Sequence, residues 1–262
     1  MEAKLAQKIP KILHYIWLGG QQKPESVLKC IASWKKFCPD FEFIEWNEER
    51  FGLGRSPIVD YALSKKNWAY AADVIRVIAL KEYGGVYFDT DVELIAPIDD
   101  LLVYDAFLGY ESRFWAGSAA LGSIPHHPLY QMLVDRYVYE EKIEFLSNPF
   151  SVHAFSAAMR LLYKVKFDGK FKVVENIALL PEPYFYPINY MSLKMKKDQN
   201  TRGIHYYQSS WHNKEQKRGA RVAYLARKFL GRHIYGFFEK IVANDFYVKL
   251  KKQFKRIENV RK

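Results

Sequence analysis

Residues 83–91 have the sequence YGGVYFDTD, and this stretch decides the fold class that we predict. The pair Gly84–Gly85 ends a helix predicted for residues 67–83, where apolar side chains recur at intervals of three and four. The apolar run VYF that follows is typical of a short buried strand, and it leads directly into Asp89 and Asp91. Two carboxylates one residue apart at a strand end project to the same side of the sheet.

Strands and helices alternate outward from this stretch. Residues 9–18 predict an opening strand that ends at Gly19–Gly20, residues 24–37 a helix, and residues 41–46 a second strand. This alternation is typical of an α/β fold with a largely parallel sheet. Open sheets of this kind bind ligands beyond the carboxyl ends of their strands, where Asp89 is expected to lie.

The composition indicates a neutral body with a basic tail. The chain has 262 residues, of which 49% are apolar and 16% aromatic, so disorder throughout is excluded. Its two cysteines, Cys30 and Cys38, exclude a disulfide scaffold and fit a reducing compartment. The net charge is +11; residues 1–211 hold 25 basic and 25 acidic residues, and residues 212–262 hold 15 and 4. We therefore predict one folded domain over residues 1–211 and a basic, helical extension over residues 212–262.

The paired carboxylates suggest a cation site. Without a positive charge between them, Asp89 and Asp91 would repel each other, and carboxylate oxygens suit Mg²⁺ or Mn²⁺. Such an ion commonly neutralises charge on a leaving diphosphate. The tripeptide alone also fits a solvated turn, but the helix, the glycine pair and the buried strand before it favour a ligand site.

Four segments together resemble family 32 glycosyltransferases, a family that includes bacterial capsular-polysaccharide enzymes and fungal initiating mannosyltransferases and is related to clostridial glucosylating toxins. Residues 72–76 and 83–91 resemble its sugar-binding segment with the DXD motif, residues 9–20 its opening strand and residues 203–211 its closing segment. The resemblance spans residues 9–211. It implies a GT-A type fold, with a Rossmann-like mixed, mostly parallel sheet flanked by helices.

The resemblance also implies roles for individual residues. Asp89 and Asp91 would be the catalytic carboxylates, with Asp91 as the direct metal ligand, Asp89 near the sugar hydroxyls and the metal, and His205 as third ligand. Glu93 continues the same alternation and is a further candidate. The residues expected to bind the donor are Ile16, Trp17, Asp73, Arg76, Tyr87, Ser210 and Trp211.

Structural alternatives for these residues stay open at this point. Trp17 and Tyr87 also fit core positions, the Asp73 and Arg76 pair fits a helix salt bridge, and a lone histidine such as His205 is commonly structural. The pair at 126 and 127 carries no recognisable pattern and is interpreted as structural or incidental.

We expect a retaining, metal-dependent glycosyltransferase that moves a hexose or N-acetylhexosamine from a nucleotide sugar to a surface polysaccharide or lipid-linked oligosaccharide. A uridine diphosphate sugar is the favoured donor, with guanosine diphosphate mannose as the alternative. A second interpretation is a haloacid-dehalogenase-type phosphohydrolase, with Asp89 as nucleophile and Asp91 as acid–base; Glu93 stands where that motif usually has Thr or Val. A third is a basic membrane- or nucleic-acid-binding module without activity, although no nucleic-acid-binding motif is present.

The terminal segments lead to an expectation about location. Residues 1–10 lack a continuous apolar run, and no window reaches the roughly 18 apolar residues of a membrane span. We therefore expect a cytoplasmic protein. Residues 218–242 combine apolar and basic side chains, which is typical of a helix on the inner, anionic face of a membrane. Packing of this helix on the folded body is the alternative.

Overall fold

The protein is described by a computed structural model that covers residues 6–138, 151–189, 194–208, 247–248 and 251–252. The strands in chain order are β1 (Ile12–Ile16), β2 (Glu42–Trp46), β3 (Gly85–Phe88), β4 (Val92–Leu94), β5 (Ala106–Ser112), β6 (Trp115–Ser123), β7 (Lys172–Val174), β8 (Ile177–Leu180) and β9 (Gly203–His205). The helices are α1 (Glu25–Phe37), α2 (Glu48–Phe51), α3 (Pro57–Ser64), α4 (Trp68–Tyr83), α5 (Pro128–Val138) and α6 (Ser151–Tyr163).

The main sheet within the described residues has seven strands in the order β2-β1-β3-β6-β5-β8-β7. Strand β1 pairs in parallel with β2 and β3, and β5 pairs in parallel with β8. Strand β6 runs antiparallel to β3 and β5, and β7 runs antiparallel to β8. Five of these strands thus share one direction, which confirms the predicted α/β class with a mixed, mostly parallel sheet.

The carboxyl ends of β3, β5 and β8 therefore lie along the same edge of the main sheet. A second, two-stranded sheet of β4 and β9 forms beside this edge. Its antiparallel register sets Val92 opposite His205 and Leu94 opposite Gly203. A segment near residue 205 is thereby held next to the residues that follow β3.

Helix α4 begins and ends as its sequence predicts. The Asn67 side chain caps its first turn by accepting a hydrogen bond from the Tyr70 N–H group, and Gly84 ends it. Gly84 and Gly85 have φ values of 64° and 88°, in the left-handed region that favours glycine. A Cβ atom at Gly85 would lie 2.5 Å from the carbonyl oxygen of Ile12, so this turn fits against β1 only without a side chain.

Apolar residues pack against both faces of the main sheet, and β3 contributes to both. Tyr87 belongs to the core beneath α4, whereas Val86 and Phe88 belong to the core beneath α1. Trp34 of α1 packs against Phe88, with ring centroids 5.9 Å apart, and donates its indole N–H to the Val92 carbonyl at 2.7 Å. The strand that leads to the paired aspartates is therefore fixed from both sides.

His14 connects β1 to its neighbours and is fully buried. Its Nε2 donates to the Gly84 carbonyl at 2.9 Å, and its Nδ1 accepts the indole N–H of Trp46 at 3.1 Å. Both ring nitrogens are thus satisfied in the neutral form. Burial lowers the pKa of His14 to about 4. No pattern in the sequence indicated that His14 binds the turn before β3.

Acidification is expected to destabilise the fold through His14. The unfolded chain takes up a proton near the ordinary pKa of 6.5, whereas the folded protein resists protonation until its pKa of about 4. Between these values the unfolded state binds more protons, so lowering the pH favours unfolding by about 3 kcal/mol for this group. Burial also lowers the pKa of His153 to about 4, which adds to the effect. Urea unfolding from pH 7 to pH 4 measures it.

The control for this experiment is His14→Gln, which keeps a donor and an acceptor but does not titrate. We expect the free energy of unfolding of this variant to depend less steeply on pH than that of the wild type. An identical pH dependence in the two proteins would contradict the role assigned to His14.

Three sequence predictions concern the rest of the chain. Cys30 and Cys38 are both buried free thiols, in agreement with the exclusion of a disulfide scaffold. Among the described residues, no helix combines the length and apolar character needed to cross a bilayer. The predicted tail helix at 218–242 lies outside the described residues, so the division at residue 211 stays a prediction. Tyr247, which lies beyond that segment, packs against Ala157 of α6.

Candidate functional site

Asp89 follows β3 and is held by three groups. Its backbone N–H donates to the Ala119 carbonyl of β6 at 2.8 Å, which extends the pairing of the two strands by one residue. The Tyr87 hydroxyl donates to Asp89 Oδ1 at 2.6 Å, as expected for alternate residues on one side of a strand. Arg76 approaches the same oxygen at 3.2 Å. The carboxylate is therefore fixed in position at the edge of the sheet.

Arg76 of α4 links this carboxylate to a second one. Its guanidinium lies 2.7 Å from Asp73, one turn earlier on the same helix face, and donates to the Ser118 carbonyl at 2.8 Å. The group also lies 4.8 Å from the centre of the Tyr87 ring. The predicted pair at 73 and 76 is thus formed and buried, but the sequence did not reveal that Arg76 also reaches Asp89.

The last residue of β9 and the segment that follows it bind Asp91. The Gln208 N–H group donates to Asp91 Oδ2 at 2.8 Å, and the Tyr206 N–H group donates to the Asp91 carbonyl at 3.0 Å. Nε2 of His205 lies 3.3 Å from Asp91 Oδ1. Between these groups, Tyr207 has a φ of 54°, a left-handed conformation that is uncommon for tyrosine. Backbone strain of this kind is often found at functional sites.

Burial and the neighbouring charges shift the pKa values of Asp91 and His205. Burial disfavours the charged form of Asp91, but His205 and the Gln208 N–H group outweigh it, so the pKa of Asp91 is lowered. Burial also disfavours the charged form of His205, but Asp91, Asp89 and Glu111 outweigh it, so its pKa is raised. The pair is therefore a carboxylate beside an imidazole, in a site that holds excess negative charge.

Asp89, Asp91 and His205 offer one ligand atom each within 4.8 Å of one another. Within the described ranges, these three residues form the one group of at least three His, Cys, Asp or Glu side chains that could hold a metal ion. Two carboxylates and an imidazole suit Mg²⁺ or Mn²⁺ and leave positions for water or phosphate oxygens. The second ring nitrogen of His205 is buried without a hydrogen-bond partner among these residues. The residues present therefore fit a divalent cation.

The other predicted residues are placed as follows. Trp17 is buried and donates its indole N–H to the Gln21 carbonyl at 2.6 Å. The side chain of Ile16 lies in the core. Glu93 is bound by Lys29 at 3.2 Å and by the Tyr206 hydroxyl, outside the candidate metal group.

Two further predictions concern the closing segment and the pair of histidines at 126 and 127. Ser210 and Trp211 lie outside the described residues, so their predicted contact with a diphosphate stays a prediction. His127 is buried and accepts the N–H group of Leu129 through Nδ1 at 3.2 Å, near the start of α5. This contact gives His127 a structural role, one of the two interpretations left open for that pair of histidines.

Residues 24–108 match the family model described as a glycosyltransferase sugar-binding region containing a DXD motif. Inositol phosphoceramide mannosyltransferase 2 of Schizosaccharomyces pombe is 31% identical over 133 residues, 48% of this chain and 37% of that protein. Mannosyl phosphorylinositol ceramide synthase SUR1 of Saccharomyces cerevisiae is 28% identical over 148 residues, 53% of this chain and 37% of that protein. Human alpha-1,4-N-acetylglucosaminyltransferase is 27% identical over 132 residues, 49% of this chain and 37% of that protein.

The matched region runs from α1 into β5 and includes both members of the candidate metal group that follow β3. The chain spans little more than a third of the length of these curated relatives. The predicted resemblance to family 32 is confirmed by this match, in which residues 24–108 align with the sugar-binding region that contains the DXD motif.

Proposed function

We propose that this chain is a metal-dependent, retaining glycosyltransferase that takes a hexose or N-acetylhexosamine from a nucleotide sugar. The observation that carries the proposal is the meeting of Asp89, Asp91 and His205 at the carboxyl edge of β3, within and beside the matched sugar-binding region. A phosphohydrolase could use the same aspartates, but the family match and the named relatives support sugar transfer instead.

The residues divide the work of binding and orienting the donor. Asp91, Asp89 and His205 would hold Mn²⁺ or Mg²⁺, which would supply positive charge to a departing diphosphate. Arg76 fixes the orientation of Asp89 and neutralises part of the local negative charge. Asp73 is assigned to a sugar hydroxyl of the donor by the family resemblance alone. Trp17 is assigned to the nucleobase by the family resemblance alone.

The relatives narrow the substrate class. Two carry names that specify mannose transfer and inositol phosphoceramide, and one specifies N-acetylglucosamine transfer. We therefore place guanosine diphosphate mannose beside the uridine diphosphate sugars as a donor. Among the expected acceptors, the lipid-linked hydroxyl is favoured over a free surface polysaccharide, and a lipid acceptor suits an enzyme that works at a membrane surface.

A donor panel tests this proposal. The full chain is incubated with uridine diphosphate glucose, uridine diphosphate N-acetylglucosamine or guanosine diphosphate mannose, with Mn²⁺ or with chelator, and release of nucleoside diphosphate is measured. We expect release from at least one donor, only with the metal. Parallel assays with p-nitrophenyl phosphate test the phosphohydrolase alternative. Hydrolysis of the phosphate ester with every nucleotide sugar intact would overturn the proposal.

A further inference from the structure

Tyr186 lies between β8 and β9, next to the candidate metal group, and is almost completely buried. Its hydroxyl accepts the backbone N–H groups of Ala119 at 2.9 Å and Ala120 at 3.3 Å, both on β6. Its own N–H group donates to the Glu182 carbonyl at 2.8 Å. The Tyr186 hydroxyl is therefore hydrogen-bonded to β6, and the Tyr186 backbone is hydrogen-bonded to its own segment.

Two glycines make room for the Tyr186 ring. A Cβ atom at Gly117 of β6 would lie 2.3 Å from both Cζ and the hydroxyl oxygen of the tyrosine. A Cβ atom at Gly109 of β5 would lie 2.7 Å from its Cε2 atom. Side-chain atoms do not approach one another so closely, so any other residue at these positions must displace the ring.

The same tyrosine contacts His205 directly and is linked to Asp89 through the backbone of Ala119. Its ring meets the His205 ring edge to face, with centroids 5.6 Å apart and planes at 90°. The preceding residue, Phe185, accepts the His205 N–H group at 2.9 Å. On the other side, Ala119 both donates to the Tyr186 hydroxyl and accepts the N–H group of Asp89 at 2.8 Å. Tyr186 therefore joins the strand that positions Asp89 to the segment that carries His205.

We propose that Tyr186 is a positioning residue for the candidate metal group, and that Gly109 and Gly117 form the seat that orients it. This inference rests on the proposed function, because it takes Asp89, Asp91 and His205 as metal ligands. Residues that orient metal-binding histidines commonly change metal affinity by about 10- to 100-fold when they are replaced.

Equilibrium binding of Mn²⁺ to the full chain, followed by electron paramagnetic resonance without any sugar substrate, tests the inference. We expect Tyr186→Leu, which removes the ring and its hydroxyl, to weaken binding at least about tenfold. Gly117→Ala should weaken it similarly by displacing the ring. Tyr186→Phe keeps the ring against His205 and should bind Mn²⁺ more tightly than the leucine variant.

Gly122→Ala is the matched control. Gly122 lies on the same strand as Gly117, and a Cβ atom there would meet Phe107 at 2.1 Å rather than Tyr186. Both alanine variants should lower the melting temperature, but only Gly117→Ala should weaken Mn²⁺ binding. The double variant Gly117→Ala with Tyr186→Leu should bind no more weakly than Tyr186→Leu alone, because the alanine then has no ring to displace.

The outcomes separate this inference from the proposed function. Mn²⁺ binding that is absent in the wild type, or unchanged by His205→Ala, overturns the metal group and with it the role of Tyr186. Mn²⁺ binding that depends on His205 but is unchanged in Tyr186→Leu and Gly117→Ala overturns the positioning role alone. Equal weakening by Gly122→Ala and Gly117→Ala also overturns it, because the effect would then follow general loss of stability.

Discussion

Replacement of Asp91 by asparagine is expected to lower metal-dependent turnover of the donor by about 10³-fold, since a bound metal stabilises transition-state charge by several kcal/mol. Asparagine has a similar shape and keeps an oxygen that can accept the Gln208 N–H group. It lacks the negative charge that a divalent cation requires. Turnover of the donor that responds in the donor panel is measured at saturating Mn²⁺.

Glu93→Gln provides the matched control for Asp91→Asn. Glu93 is also an acidic residue, two positions along the chain, but it pairs with Lys29 and Tyr206 outside the candidate metal group. We expect its replacement to leave metal-dependent turnover close to the wild-type value. Comparable losses in both variants, or full activity of Asp91→Asn, would contradict the assignment of Asp91 as a metal ligand.

Replacement of Arg76 by methionine is expected to reduce the free energy of unfolding by about 3–5 kcal/mol, because it leaves buried negative charge without a partner. The Arg76 side chain is only 6% exposed and the Asp73 side chain 11%, so water cannot solvate the remaining carboxylate well. Asp89 also loses its positive neighbour. Urea unfolding at neutral pH measures the loss.

Arg55→Met is the corresponding control at the surface. Arg55 pairs with Glu82, and about a third of each side chain is exposed. Surface ion pairs of this kind contribute about 0–1 kcal/mol. Equal effects of the two substitutions would show that Arg76 does not hold buried charge. A second variant, Asp73→Asn combined with Arg76→Met, should recover part of the stability by removing one of the stranded carboxylates.

Local pattern was sufficient to predict the first part of the fold. The helix predicted for residues 67–83 forms over Trp68–Tyr83, because its apolar spacing and its glycine stop agree. The cap formed by Asn67 is an addition that the structure shows. The strand after Gly84–Gly85 and the helix at 24–37 were predicted for similar reasons. Each of these features depends on neighbours within one or two helical turns, which a sequence displays directly.

Strand β6 shows why the rest could not be predicted. After Trp115, its sequence AGSAALGS lacks the β-branched and aromatic residues that favour strands, although all of it is buried. The small residues at Gly117 and Gly122 are required by the Tyr186 and Phe107 rings, which come from other parts of the chain. Because the residues of β6 are determined by the rings that pack against it, the strand cannot be recognised from its own sequence.

In the candidate site, too, contacts between residues close in the sequence were predictable, whereas contacts between separate elements were not. Asp89 and Asp91 share a side because of strand geometry, and Asp73 and Arg76 meet because of helix geometry. The contact of Arg76 with Asp89 crosses the turn between the two elements, and the role of Tyr186 depends on three strands. The buried glycines Gly109 and Gly117 are the signal in the sequence, but their meaning depends on knowing which ring they face.

The hydrogen bond from Gln208 to Asp91 joins residues that are 117 positions apart in the chain. Contacts over such separations form late in folding, because a long loop must close first. During synthesis, β1, β2 and β3 can emerge and pair well before Gln208 leaves the ribosome. The capacity to hold a cation should therefore be acquired last, after the nascent sheet is already in place.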